Sequence, residues 1–430
     1  MITDRQMLNV ATGIAGAGVL VRLSSAMLGS PWLTVISDSL MILGGFVAAL
    51  MAVLPLVAAG MGGLQPTAGA GMRSEGSGWG LWRVGPYRID VPLTVYLCVC
   101  VLSVAVCRPN PSFMAVPKLA LFVLMLAAIG PLMVSAGLCE MRYRLWRLLL
   151  WGLRVIVVLS FIVYVTAAIV DVHSRLYDFI PYADRDGITN ERIMLSAISA
   201  LVVVDALWKA TLAGATDRRR RLWLIVLAAA AFLTLMQAAS RMALIGCVAA
   251  MLYVAVAHGR YILAHRKALF IAVAGTTFIL ILGAAYFSEG ILLKLSWDFE
   301  AGSLFRSRSA LWTDRLGEFL DNPVLGLGFH AFDRCTLPTV DPNWTPDRGP
   351  LEPGSSWLTL LSQTGVVGFA SFAVWLAAWF RRQIRAGHGY TIAIAILLLI
   401  NGVSEGWLTY TGGIIFLCFW LNAAAPAENQ

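Results

Sequence analysis

Apolar runs of about twenty residues recur almost from end to end of this chain, and a helical run of that length matches the hydrocarbon thickness of a bilayer. A soluble core cannot absorb so many of them. With 59% hydrophobic residues against 13% charged and a mean hydropathy of +0.77, the chain lies outside the near-balance of a globular domain. The expected fold class is all-α, a polytopic integral membrane protein with about 12 transmembrane helices and one large outer loop. The N-terminal run has no convincing cleavage site and is read as an uncleaved first helix.

Spans are predicted near 7–28, 33–61, 91–107, 113–139, 148–170, 193–214, 222–239, 242–257, 268–287, 356–380, 389–404 and 409–423. The runs 242–257 and 409–423 are short and are the candidates for re-entrant or differently tilted segments. The chain thus divides into 1–287 with nine spans, a hydrophilic loop over 288–355, and 356–430 with three more spans. Seventeen Lys and Arg fall on one set of intervening segments, around Arg5, Arg83, Arg142 to Arg147, Arg218 to Arg221, Arg260 to Lys267 and Arg381 to Arg385. Only five (Arg108, Arg175, Arg185, Arg192 and Arg241) fall on the short segments of the other side. Short loops rich in basic residues stay in the cytoplasm, so both termini are predicted cytoplasmic. The net charge of +8 is accordingly a topology signal, not a nucleic-acid footprint. Of the seven cysteines only Cys335 lies in a polar stretch, so neither a disulfide framework nor a zinc site is indicated.

Ten of the 24 acidic residues lie in 288–355, and function is sought there first. Leu311, Trp312, Leu316, Phe319 and Leu320 recur at helical spacing and predict an amphipathic helix at the membrane surface, ended by Asn322-Pro323. A glycine-rich turn through His330 follows, then five prolines between Pro338 and Pro353 that predict an extended, lid-like segment. Trp297, Trp344 and Trp357 flank it, suited to the headgroup level or to stacking on sugar faces.

Three segments together resemble the C-terminal signature of the O-antigen ligase and Wzy-type polymerase family. They are Arg308-Ser-Ala-Leu-Trp312, Asn322-Pro-Val-Leu-Gly326-Leu-Gly328 with Phe332, and Ser356-Trp-Leu-Thr-Leu-Leu-Ser-Gln-Thr-Gly365-Val-Val-Gly368. Ser240-Arg241 is similar to the family's Ser-Arg element, and Asp186-Gly187-Ile-Thr-Asn190-Glu-Arg192 to its entry to a span. The resemblance covers 180–370 and implies a bacterial inner-membrane glycosyltransferase with its large loop and active site periplasmic. One feature departs from the ligase type: where those members carry His-Asn, this chain has Gly354-Ser355. That favours a polymerase, and among polymerases the exopolysaccharide repeat-unit enzymes of the xanthan gum type. Ligation of O-antigen to lipid A core is the alternative within the family.

The implied donor is an oligosaccharide joined through pyrophosphate to undecaprenol, attacked by a sugar hydroxyl of a second molecule. Charge builds on the leaving pyrophosphate, where fixed guanidinium groups stabilise the transition state and pair bidentately with phosphate oxygens. Arg241, Arg308 and Arg192 are the expected pyrophosphate ligands, with Arg185 and Arg306 as further candidates. Glu352 and His330 are the candidate bases for the attacking hydroxyl, with Asp333, Asp347 and Glu405 behind them. Trp344 and Trp312 are candidates for sugar stacking. No metal and no cofactor is expected. The implied partners are the lipid-linked oligosaccharide, the bilayer and a chain-length-regulating co-polymerase, with no nucleic acid.

A lipid-linked sugar flippase or transporter is the reading from a different class. It would use the intramembrane Asp205 and Lys209, whose i,i+4 spacing otherwise lets them neutralise each other on one helix face. Arg22, Asp38 and Lys118 are expected to snorkel to the outer interface.

Overall fold

A computed structural model describes residues 4–28, 30–62, 81–84, 87–106, 115–170, 187–189, 191–213, 217–257, 306–332 and 354–424. The predicted span at 268–287 and the proline-rich part of the loop lie outside the described residues. The described helices are α1 (Asp4–Leu28), α2 (Pro31–Gly62), α3 (Val91–Val106), α4 (Ala115–Ala128), α5 (Ala136–Val170), α6 (Arg192–Leu212), α7 (Arg218–Ala238), α8 (Arg241–Ala257), α9 (Arg306–Asp321), α10 (Ser356–Ala386), α11 (Gly389–Asn401) and α12 (Ile414–Ala424). Six of them, α1, α2, α5, α6, α7 and α10, are long and apolar enough to cross a membrane, and α3, α4, α8, α11 and α12 are shorter apolar helices. The fold is almost wholly helical, though not all-α. A small antiparallel sheet of β1 (Leu81–Val84), β2 (Tyr87–Asp90) and β3 (Met133–Val134) joins the ends of α3 and α4.

Packing follows composition: α1 lies along α2, α6 along α7, and α8 along α11, while α3 runs beside α10. The core is a continuous cluster, from Ala11, Ala15 and Val19 of α1 to the aromatic layer of Phe372, Trp375, Phe416, Phe419 and Trp420. Outward faces carry Leu43, Val101, Ile162, Val226, Leu252 and Val374, all exposed, as lipid-facing surfaces require.

Several expectations are corrected. The fourth predicted span, 113–139, stops at Ala128, because Gly130-Pro131 interrupts the helix. The segment holding Arg142, Arg144 and Arg147 is then not a loop but the beginning of the 35-residue α5. Arg142 is fully buried, its guanidinium donating to the carbonyls of Ala127 (2.7 Å), Ala128 (3.0 Å) and Met133 (2.7 Å). It satisfies the orphaned carbonyls at the end of α4. Arg22 and Asp38 do not snorkel. They form a buried ion pair between α1 and α2, and Arg22 also donates to Ser37 Oγ (3.1 Å) and to the Thr411 carbonyl (3.0 Å).

The helix expected at 311–320 is present as α9, yet its charged side faces inward. Asp314, Arg315 and Glu318 are buried, whereas Leu316 and Leu320 are 46% and 65% exposed. Arg315 pairs with Glu318 at 2.8 Å and lies 4.5 Å from the Phe332 ring centroid, tying the helix to the turn that follows it. Leu311, by contrast, is buried, so the apolar residues at helical spacing divide between the two faces of the helix.

Candidate active site

The order of the helices places the start of α6, the α7–α8 turn, the start of α10 and the α11–α12 connection at one end of the bundle. Contacts agree: a Cβ on Gly246, five residues into α8, would meet the Leu397 carbonyl near the end of α11 at 2.8 Å. The site is built at this end by two irregular segments, and each has a stated reason to be irregular.

The first is a break in α10. Gly365 has φ 63° and ψ −170°, a conformation essentially confined to glycine, so the helical bonds across it are lost. The segment 323–328 replaces them. Leu327 N donates to Ser362 O (2.9 Å) and Gly328 N to Gln363 O (3.0 Å), while Val366 N and Val367 N donate to Pro323 O (2.8 Å) and Val324 O (3.2 Å). Ser103 Oγ of α3 contacts Leu325 O (2.7 Å) and Gln363 O (2.8 Å). Gly326 and Gly365 face each other's backbones so closely that a Cβ on either would overlap the other strand. Thus Asn322-Pro-Val-Leu-Gly-Leu-Gly and Gln363-Thr-Gly365 are the two halves of one backbone clamp.

The second is the connection 402–413. Helix α11 has 13 residues and α12 has 11, about 20 Å and 16 Å of rise, which is short of a bilayer core. The predicted span 409–423 therefore begins five residues late, and its first residues form turns. Backbone at such depth has to be satisfied by protein or line a cavity, and it does both. Ser356, the first residue of α10, is the hub. Its N donates to Gly402 O (2.8 Å) and Glu405 O (2.9 Å), its Oγ donates to Glu405 O (2.6 Å), and that Oγ accepts from Trp407 N (3.1 Å) and Leu408 N (3.2 Å).

Beside this connection lies a cavity of about 310 Å³, lined by Glu191, Met194, Asn401, Glu405, Trp407 and Tyr410 among others. Arg308 of α9 reaches it through an ion pair, Nη2 to Glu405 Oε1 at 2.8 Å, with only 13% and 14% of the two side chains exposed. Arg192 follows Glu191 at the start of α6, and Arg241 begins α8 immediately after the Ala239-Ser240 turn, both half-buried. His330 sits behind Tyr410, ring centroids 6.5 Å apart, with Lys118 Nζ 3.4 Å from its Nδ1. Burial and the neighbouring Lys118 push the His330 pKa down to about 4, so the ring is neutral at pH 7. With Lys118 donating to Nδ1, its proton lies on Nε2.

Of the other sequence candidates, Trp312 donates its indole N–H to Gly354 O at 3.1 Å. Arg306 is described by its backbone alone, as the first residue of α9. Arg185, Trp344, Glu352, Asp333 and Asp347 lie outside the described residues. Trp357 is not a headgroup anchor: its indole N–H donates to Leu399 O at 3.1 Å and its ring packs on Phe369 and Phe372. Asn401, Trp407 and Tyr410 line the cavity and were not among the sequence candidates. The signal was present, since Asn401-Gly-Val-Ser-Glu-Gly406 interrupts an otherwise apolar end of the chain, and a discontinuous span of that kind marks a membrane binding site.

Residues 225–373 match the family model for O-antigen ligase. The match runs from within α7 to the middle of α10 and so takes in Arg241, Arg308 and both halves of the clamp, about a third of the chain. It stops short of Asn401 and Glu405. No curated protein gives a match. The match supports the resemblance drawn from the motifs, and the family's members are ligases and polymerases that act on lipid-linked glycans in the membrane.

Proposed function

We propose that this protein is a glycosyltransferase of the O-antigen ligase and polymerase family that joins undecaprenyl-pyrophosphate-linked oligosaccharide repeat units into exopolysaccharide at the periplasmic face of the inner membrane. The observation that carries the reading is Arg308, held by Glu405 on the wall of a cavity at the bundle end where Arg192 and Arg241 also emerge. A partly desolvated guanidinium oriented by the Glu405 carboxylate needs little reorganisation as charge grows on the leaving pyrophosphate. Arg241 and Arg192, with Arg185 and Arg306 as additions, complete the anion clamp in this reading.

Glu405 then has two tasks: it orients Arg308, and it is the described group best placed to accept the proton of the attacking hydroxyl. His330 takes second place because Nδ1 already faces Lys118. Glu352 keeps its place as a third candidate. Polymerisation is preferred to ligation because the ligase-type His-Asn is replaced by Gly354-Ser355. At Gly354 a Cβ would lie 2.7 Å from Leu311 Cβ, and Ser355 is the N-cap of α10, accepting from Leu358 N. A larger side chain at 354 would displace α9.

The transporter reading receives no comparable support. Asp205 is fully buried, with Oδ1 bonded to Lys209 (2.8 Å) and Tyr390 (2.8 Å) and Oδ2 to Arg154 (Nε, 3.1 Å). It staples α5, α6 and α11 together, and a carboxylate with both oxygens occupied is a poor proton carrier.

Deletion of the gene, followed by analysis of lipid-linked sugars and released polysaccharide, tests the proposal. Single repeat units on the outer leaflet and no polymer are expected. Repeats trapped on the inner leaflet would indicate a flippase, and normal polymer never joined to lipid A a ligase.

A further inference from the structure

One cation drawn into the bundle lacks a carboxylate. Arg22, Arg154, Lys209, Arg315 and Arg382 each pair with an aspartate or a glutamate. Lys118, half-buried in the first turn of α4, has no such partner among the described residues. Its Nζ lies instead 3.4 Å from Nδ1 of His330. His330 is 8% exposed and stands at φ 64°, in the left-handed region that non-glycine residues keep mainly where binding or catalysis requires it.

The chemistry of the pair narrows the ligand. A carboxylate would both orient the ammonium and cancel its charge, whereas a neutral imidazole nitrogen orients it and leaves the charge intact. One of the three ammonium donors faces Nδ1, so two remain. A fixed positive charge with spare donors suits an oxyanion, and an acyl chain would leave that charge unpaired. A cation in the first turn of a helix opposes the macrodipole, so Lys118 is not placed there to stabilise α4. From Lys118 the contacts run through His330 to Tyr410, which lines the same cavity as Glu405, the partner of Arg308. Lys118 thus stands beside the Arg308 site.

We propose that Lys118, oriented by His330, is a second anion ligand and holds the pyrophosphate of the lipid-linked molecule that supplies the attacking hydroxyl. The identity of the occupant rests on the polymerase reading. Joining two lipid-linked repeat units brings two pyrophosphates to one face of the membrane, and only one of them leaves. The departing group needs guanidinium groups that meet growing charge. The retained group keeps its charge throughout, and a compact point charge suffices to position it.

The test uses the full-length protein in a nonionic, phosphate-free detergent, with its five histidines isotopically labelled for NMR and the His330 signal identified by its absence in His330→Asn. Inorganic pyrophosphate and a soluble short-chain phosphatidylglycerol are titrated separately. Pyrophosphate is expected to shift the His330 signal. Lys118→Met should raise the concentration needed at least tenfold, Lys118→Arg should recover most of the response, and Arg308→Gln should leave it in place. No shift in the wild-type protein, or an unchanged shift in Lys118→Met, would overturn the inference. A shift lost in Arg308→Gln would mean one shared anion site, and a response to phosphatidylglycerol alone a bilayer headgroup; either result overturns it too. Failure of this inference and failure of the polymerase reading are distinguishable. Polymer made by a protein whose His330 signal ignores pyrophosphate removes the second site and leaves the polymerase. A pyrophosphate response in a protein whose deletion leaves polymer intact removes the polymerase and leaves the anion site.

Discussion

Alanine at Gly365 should be far more damaging than alanine at Gly387, although the two glycines have similar positive φ, 63° and 73°. At Gly387 nothing lies within 4 Å of the added Cβ, so the cost is the left-handed backbone alone, about 1 to 2 kcal/mol. At Gly365 the Cβ would overlap the Val324 carbonyl group, which is backbone and cannot swing aside. Separating the strands enough to admit it breaks the four bonds that join 323–328 to the interrupted helix. At about 1 kcal/mol net each, with about 1 to 3 kcal/mol for the glycine-only conformation, the total is about 5 to 7 kcal/mol. That is comparable to the whole stability of many proteins. Equilibrium unfolding of both variants in mixed micelles, followed by tryptophan fluorescence, measures the difference directly. Gly387→Ala should unfold slightly earlier than the wild type, and Gly365→Ala should lose the cooperative transition or fail to accumulate. Equal, small losses in the two variants would refute the clamp, and would mean that the α10 break tolerates side chains and that the facing glycines are incidental.

Arg308→Lys keeps the charge and removes the planar fork; loss of one charge-assisted contact, about 1.5 to 3 kcal/mol, should lower the polymerisation rate about 10- to 150-fold with little change in melting temperature, as measured by glycan gel analysis of expressed variants. Ser356→Ala should destabilise by about 2 to 4 kcal/mol, because two buried N–H groups, of Trp407 and Leu408, lose their acceptor; loss of the N-cap in Ser355→Ala should cost only about 1 kcal/mol, and denaturation curves rank the two. His330 gives a pH signature. Its folded pKa of about 4 lies below the 6.5 of the free side chain, so the unfolded chain takes up the proton first and stability falls as pH drops from about 6.5 towards 4. The loss should be about 2 kcal/mol by pH 5. His330→Asn, which tolerates the positive φ of 64°, should remove that slope in pH-dependent melting curves.

The legible part of this fold was the part governed by apolar run length. The predicted spans at 7–28, 33–61, 193–214 and 222–239 lie within a few residues of α1, α2, α6 and α7, because each is a predominantly apolar run of about bilayer length. Charged residues within or beside runs misled the reading. Arg142 reads as a cytoplasmic anchor, and its burial depends on the α4 carbonyls that Gly130-Pro131 leaves open, a contact that no local pattern encodes. Arg22 and Asp38 read as snorkelling residues because they are sixteen residues apart across a turn, and only the pairing of α1 with α2 brings them together. For the candidate site, Arg308 was singled out by its motif, while its partner Glu405 lies 97 residues downstream and ranks behind Glu352 and His330 as an acceptor in the sequence. Asn401 did not stand out in the sequence because asparagine at a helix end is ordinary.

The break in α10 also decides what moves with what. Residues 356–364 are continuous in sequence with the rest of the helix, yet their bonds run to 323–328 on one side and, through Ser356, to 402–408 on the other. This outer piece thus joins the segment after α9, which leads to His330, to the connection that carries Glu405, the partner of Arg308. Because 323–328 is bonded to Ser362 and Gln363 before Gly365 and to Val366 and Val367 after it, it splints the break, and the two halves of α10 are held as one piece.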